Sequence, residues 1–240
     1  MNNITAYCST YNSIRFIDGY LENINNQACG GFDLIFIDAG STDGSLERIK
    51  DFSFNKHINV SIYEPGFLSV YGAWNFGVEK STTPYVLNFN TDDRLSFYAL
   101  ATYEKYIEEY PEVDLFYGVH NFVGEIGGPP LPLGVQWANL TTQLLLESEE
   151  KLFSTINPCG PFPLVKRSSL IEAGPFDDYY FSSADYDMWY RMLSMGKNFK
   201  RIPEVIGDYY YRPDSVSQSN LKECEAHDQE IQNKYSQCKK

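Results

Sequence analysis

Asp92 and Asp93 stand side by side where an apolar run, PYVLNF (84–89), gives way to Asn90-Thr91-Asp92-Asp93-Arg94. Adjacent carboxylates repel each other and persist best beside a cation that takes oxygen ligands. The competing reading is a polar turn capping a helix that starts near Ser96, since Asp is a good turn and cap residue. Other polar residues also follow apolar runs. Thr10-Tyr11-Asn12 follows ITAYCS (4–9), and Asp38 closes FDLIFID (32–38). A second acidic pair, Asp185 and Asp187, lies in SSADYDMWYR (182–191). Residues two apart on a helix point in different directions, so at most one of this pair faces a site. Asp187 then caps the helix or pairs with Arg191 at i+4.

The elements around these residues alternate. ITAYCS reads as a buried strand, and a helix with Ile14, Ile17, Leu21 and Ile24 on one face runs to about Gln27. FDLIFID is the second strand, followed by a turn at 39–45 and a helix over 44–51 carrying Leu46 and Ile49, with Asp43 as its cap. NVSIYE (59–64), a Pro65-Gly66 loop, a helix over 70–80, PYVLNFN (84–90), a helix over 97–109 and VDLFYG (113–118) complete the series. Such alternation predicts an α/β fold with a mainly parallel sheet. Strand ends of a parallel sheet share one edge, so Tyr11, Asp38 and Asp92-Asp93 are expected to face a common crevice. There an aromatic ring stacks on a base, and a carboxylate accepts from a base N–H or ribose hydroxyls. A divalent cation at Asp92 would neutralise a diphosphate.

The second half is less regular. Residues 124–135 read as a Gly/Pro-rich loop or hairpin, 138–153 as helical, and 157–163 as a broken loop before LVKR. A helix is expected over 182–196 with Met188 and Trp189 in the core, then short strands at 198–205 and 207–212, and a polar terminal helix. One domain spanning 1–240 is the simplest organisation, with a nucleotide half to about residue 118 and an acceptor half beyond it.

Composition narrows the function. A net charge of −13 argues against a nucleic-acid partner and against adhesion to anionic lipid through charge. No stretch approaches the ~20 apolar residues of an integral membrane segment. The start, MNNITAYCSTYN, lacks the basic region and apolar core of a signal peptide, so a location in the cytoplasm, free or peripheral at the inner membrane face, is expected. Five widely spaced cysteines with no CxxC pair fit reduced thiols, and the three histidines have no metal-like or triad-like spacing, although His120 is a candidate lone ligand. Neither a Walker A loop nor a GxGxxG fingerprint occurs.

STYN (9–12), IDAGSTDGS (37–45), EPGFLSVYGAWNFGV (64–78), LNFNTDDR (87–94) and GPFDDYYFSSADYDMWYRM (174–192) occur in an order and spacing that resembles family-two glycosyltransferases of the GT-A fold. The likeness runs from about residue 4 to about 217 and is nearest in character to bacterial enzymes of polysaccharide biosynthesis. The resemblance implies that Thr10, Tyr11 and Asn12 hold the nucleobase and that Asp38 meets the uracil or ribose. It puts Glu64 near the nucleotide and Trp74 and Asn75 along the donor pocket. Asp92 matches the last position of the DxD metal motif, with Asn90 in its first position, and Asp93 matches the donor-sugar acid. Asp185 matches the catalytic base, and Arg212 a tail position that reaches the diphosphate. The expected cofactor is Mn²⁺ or Mg²⁺. The expected donor is a nucleotide-diphosphate sugar, UDP favoured, and the expected acceptor a hydroxyl of a glycan or lipid-linked molecule, with inversion at the anomeric carbon. The chain departs from the pattern at Asn90, at Ala39 where a second acid is frequent, at loop 64–71, which lacks Asp-Lys-Gly, and at Gly72. Two other classes remain. One is a GT-A-like module that binds without turnover, motivated by Asn90 and Ala39. The other is a sugar nucleotidyltransferase, which would want a basic Gly-rich loop that STYNSIRF does not offer.

Overall fold

The computed structural model describes residues 2–124, 153 and 156–236. Its strands are β1 (Ile4–Thr10), β2 (Phe32–Asp38), β3 (Ile58–Tyr63), β4 (Tyr85–Asn88), β5 (Arg94–Leu95), β6 (Leu115–Gly124), β7 (Leu164–Lys166) and β8 (Phe199–Tyr211). They form one sheet in the order β3-β2-β1-β4-β7-β6-β8-β5. β3, β2, β1 and β4 are parallel, as are β6 and β8, while β7 and β5 run against their neighbours. The mainly parallel α/β expectation therefore holds. Chain order reverses direction between β1 and β4, which opens a crevice at their carboxyl ends.

Alternate strand residues feed two apolar layers. Ala6, Cys8, Leu34, Phe36, Leu87 and Phe89 face α1 (Ile14–Asn25) and α4 (Ala99–Glu109), where Ile17, Tyr20, Leu21 and Tyr103 are buried. Tyr7, Ile35, Ile37 and Val86 face α3 (Val70–Lys80) and the helices Ala184–Ser194 and Leu221–Ser236. Met188 and Trp189 lie in this second layer, as expected. Ile14, expected on the buried face of α1, is exposed at its first turn.

Other expectations are corrected. The strands at 198–205 and 207–212 are one strand, β8. Its register against β6 slips between Gly118 and His120, so that Ile202, Val205 and Gly207 are the successive partners. The resulting bulge absorbs Pro203, which has no N–H to give a ladder. β5 and β7 were not anticipated, because strands of two and three residues are too short to carry an alternation. The expected loop or hairpin at 124–135 and helix at 138–153 fall outside the described residues, apart from Gly124 and Phe153.

Asp187 shows what docks the terminal helix. The residue is 1% exposed, and its carboxylate accepts from Arg191 Nε at 2.8 Å, Lys234 Nζ at 2.8 Å and the Tyr235 hydroxyl at 3.0 Å. The i+4 pairing with Arg191 is the one expected. Removing a buried carboxylate strands its cations. Asp187→Ala is expected to lower unfolding stability by about 2–3 kcal/mol, read from the urea midpoint. An unchanged midpoint would refute this docking role.

Candidate functional site

At the crevice, β1 and β2 end in loops that are tied together. The buried Asp38 carboxylate accepts four hydrogen bonds, from Gly40 N (3.0 Å), Ser41 N (2.8 Å), the Ser41 hydroxyl (2.6 Å) and the Thr10 hydroxyl (3.0 Å). Those donors fill the acceptor sites of a carboxylate, so here Asp38 is the knot between the loops. Asn12 adopts a left-handed φ of 49° and accepts from Thr42 N at 2.9 Å, while its own N–H donates to the Ser41 hydroxyl. Asp43 accepts from Ser45 N and also from Ile14 N, joining the starts of α2 (Ser45–Lys50) and α1. With its neighbours engaged, Tyr11 is turned outward and is 56% exposed.

The tip of β4 separates its carboxylates. Asp93 is buried and accepts from Tyr210 N at 3.0 Å, fastening the loop to β8. Burial and the neighbouring Asp92 charge push its carboxyl well above the usual range. Asp92 stays partly exposed and is ion-paired with Arg212, whose guanidinium also meets Asp214 at 3.1 Å and lies 4.5 Å from the Phe16 ring centroid. Arg94 donates to the carbonyls of Thr91, Asp93 and Phe16 and clamps the loop from below. Residues 90–93 do form a turn, closed by Asp93 N donating to Asn90 O at 3.4 Å, but neither carboxylate caps α4, whose first turn has no side-chain cap.

For a divalent cation this tip offers hard oxygen donors, the Asp92 carboxylate and the Asn90 amide oxygen. The Asn90 oxygen accepts from Asn88 Nδ2 at 3.4 Å. No cluster of three or more His, Cys, Asp or Glu side chains able to hold a metal occurs among the described residues. The set fits an ion such as Mg²⁺, which commonly takes one or two carboxylates and completes its shell with substrate phosphates. It does not make a closed protein cage.

Asp185 accepts from the Tyr71 hydroxyl at 3.1 Å and from Asn157 Nδ2 at 2.7 Å. Burial raises its carboxyl to about 6, against the pull of those two hydrogen bonds. It lines a cavity with Asn88, Trp74, Phe176 and Trp189, so the 184–194 helix delivers it beside the end of β4. Trp74 Nε1 and Asn88 Oδ1 are buried with no hydrogen-bond partner among the described residues. Asn75 spends its amide on the backbone of Phe176, donating at 3.0 Å and accepting at 2.8 Å, and so positions that wall. Glu64, just past the end of β3, is exposed and paired with Lys50 at 2.6 Å. His120 is buried, and burial lowers its imidazole to about 4, so it is neutral at pH 7. Tyr71 and Asn157 went unnoticed in the sequence. Tyr71 lies one helical turn before Trp74, a spacing that could have flagged it, whereas Asn157 carries no local signal.

The family model for "Glycosyl transferase family 2" matches residues 6–174. Teichoic acid poly(glycerol phosphate) polymerase of Staphylococcus epidermidis is 33% identical over 127 residues, 51% of this chain and 17% of that protein. A PGL/p-HBAD biosynthesis glycosyltransferase of Mycobacterium bovis is 34% identical over 110 residues, 45% of this chain and 43% of that protein. The chain thus spans less than half the length of these relatives. Among solved structures, S. aureus TarS 1–349 in complex with UDP-GlcNAc superposes with a TM-score of 0.72 at 16% identity, covering 99% of this chain and 72% of that one. The mannosyltransferase PcManGT from Pyrobaculum calidifontis, in complex with GDP-Man and Mn²⁺, gives 0.70 at 18% identity, covering 92% and 60%. The structural likeness is one of fold, and the fold is the expected GT-A.

Arg212 neutralises Asp92 and so competes with any other cation there. Arg212→Gln is expected to tighten Mn²⁺ binding in the absence of nucleotide by about three- to tenfold, the range of a partly exposed ion pair. Titration monitored by Mn²⁺ paramagnetic resonance checks it, and weaker binding in the variant would contradict the ion pair's competing role.

Proposed function

Because this chain belongs to glycosyl transferase family 2, we propose that it moves a sugar from a nucleoside-diphosphate sugar to an acceptor hydroxyl, with Asp185 as general base. The observation that carries this is the placement of Asp185. A carboxylate raised to about 6 shares a cavity with Asn88, whose amide reaches Asn90 at the diphosphate end of the site. A base whose pKa approaches neutrality combines the deprotonated form with useful proton affinity.

Asp185 takes the acceptor hydroxyl's proton as that oxygen attacks the anomeric carbon. The bond from that carbon to the diphosphate breaks on the opposite face, its electron pair leaves with the nucleoside diphosphate, and the configuration inverts. Tyr71 and Asn157 hold both Asp185 oxygens, so the carboxylate meets the hydroxyl in one orientation. A divalent cation bound by Asp92, the Asn90 amide and the donor phosphates would offset the charge of the leaving group. Tyr11 carries the base, Trp74 lines the donor pocket, and Asp38, Asn12, Asn75 and Asp93 hold the walls. The segment to about residue 118 serves the donor and the remainder the acceptor. The nucleotide sugars in the TarS and PcManGT complexes support a donor of this class, UDP-linked in the first. The acceptor in this reading is a hydroxyl of a glycan or lipid-linked molecule, as the resemblance to polysaccharide-biosynthesis enzymes implies. No helix among the described residues is long and apolar enough to cross a membrane.

Asp185→Asn keeps the shape and removes the base. Transfer, followed as nucleoside diphosphate released from a panel of sugar nucleotides with Mn²⁺ or Mg²⁺, is expected to fall about 10²- to 10⁴-fold. Thermal stabilisation by nucleoside diphosphate should persist. Full turnover in the variant would remove Asp185 from the mechanism, and tight binding with no release by the wild type would favour a non-catalytic module.

The base works deprotonated and its pKa is raised. Activity is therefore expected to be present above pH 6 and to be lost as pH falls through about 6. A kcat/KM profile with no acidic limb in that range would contradict the assignment.

A further inference from the structure

Phe67 is 81% exposed, more than any other large apolar side chain among the described residues. Its position is nonetheless held. Gly66, at φ 86°, turns the chain just before it. Leu68 packs against the core just after it. Ser69 accepts from Gly72 N at 2.9 Å at the start of α3 and donates to Asp178 at 2.7 Å. A ring anchored on both sides and left in solvent is better explained by a ligand than by slack in a loop. The ring it meets is Tyr11, itself 56% exposed, with centroids 6.3 Å apart and planes at 86°.

We infer that Phe67 and Tyr11 form a right-angled corner that grips the donor nucleobase by stacking, and that the chain consequently discriminates weakly among bases. The inference rests on the donor reading above. Two perpendicular rings give a flat heterocycle one face to stack on and a second to abut. Several polar groups on the loops around Tyr11 are already engaged. Asp38 has its four donors, Asn12 accepts from Thr42, and the Ser41 hydroxyl donates to Asp38. Stacking is sequence-tolerant because every base has a π-face, whereas discrimination needs hydrogen-bonding groups free to read base edges. Phe67 stands in the loop that departs from the Asp-Lys-Gly of similar enzymes, so the second wall is a property of this chain.

The test is calorimetric titration of the full chain with UDP, dTDP, GDP and inorganic pyrophosphate, each with Mn²⁺. The proteins compared are the wild type, Phe67→Ala and Phe67→Tyr. Phe67→Ala is expected to weaken all three nucleoside diphosphates about 5- to 50-fold and to leave pyrophosphate unchanged, with Phe67→Tyr restoring affinity. Wild-type affinities for the three are expected to lie within tenfold of one another. Unchanged nucleoside diphosphate binding in Phe67→Ala would overturn the corner, as would an equal loss for pyrophosphate or a base preference above tenfold. If the wild type binds pyrophosphate and none of the three nucleotides, the donor reading fails along with it. Because Phe67 is in solvent, its truncation does not threaten folding.

Discussion

A buried carboxylate is tolerable only when its oxygens find donors, and Asp38 meets that demand with the two loops that bound the crevice. Thr10 arrives from β1, while Gly40 and Ser41 arrive from the turn after β2. Satisfying the carboxylate therefore fixes the strand ends against each other. Asn12 and Asp43 extend the same web to the starts of α1 and α2. The outward pose of Tyr11 follows, because the backbone around it has no freedom left to turn the ring in. The crevice is rigid where the base would lie, and its rigidity comes from a residue that the crevice does not expose.

The two acidic pairs divide by the same rule. Burying neighbouring carboxylates together would set like charges in a poor dielectric, and each pair avoids this by splitting. Asp93 goes inward to the β8 backbone while Asp92 stays at the rim with Arg212. Asp187 goes inward to Arg191, Lys234 and Tyr235 while Asp185 faces the cavity. In each pair one member holds an element in place and the other stays at the rim or the cavity.

Much of this was legible in the chain. Short, nearly continuous apolar runs separated by amphipathic stretches report a parallel sheet, and strand ends report its ligand edge. The helical phase of Asp185 and Asp187 already turned them in different directions, and the i+4 spacing paired Asp187 with Arg191. What was hidden is the choice of hydrogen-bond partner. Asp38, Asn75 and Glu64 match positions near a nucleotide, yet their oxygens and amides are engaged by Ser41, by the Phe176 backbone and by Lys50. The partner of Asn75 lies 101 residues away, so no local pattern announces it, whereas Ser41 is three residues from Asp38. β5 and β7 were hidden for a simpler reason, being too short, at two and three residues, to repeat a pattern.

The pairing of Arg212 with Asp92 and Asp214 has a consequence for the segment beyond β8. That segment is moored to the β4 tip by charge, with a second line from Arg15 to Asp214 at 3.4 Å. Thermodynamic reciprocity then applies: whatever draws Asp92 away loosens the mooring, and whatever loosens the mooring alters what Asp92 can bind. Ionic strength thus acts on the donor end and on the tail as a single variable, more strongly through the exposed Arg15 line than through the half-buried Arg212 one.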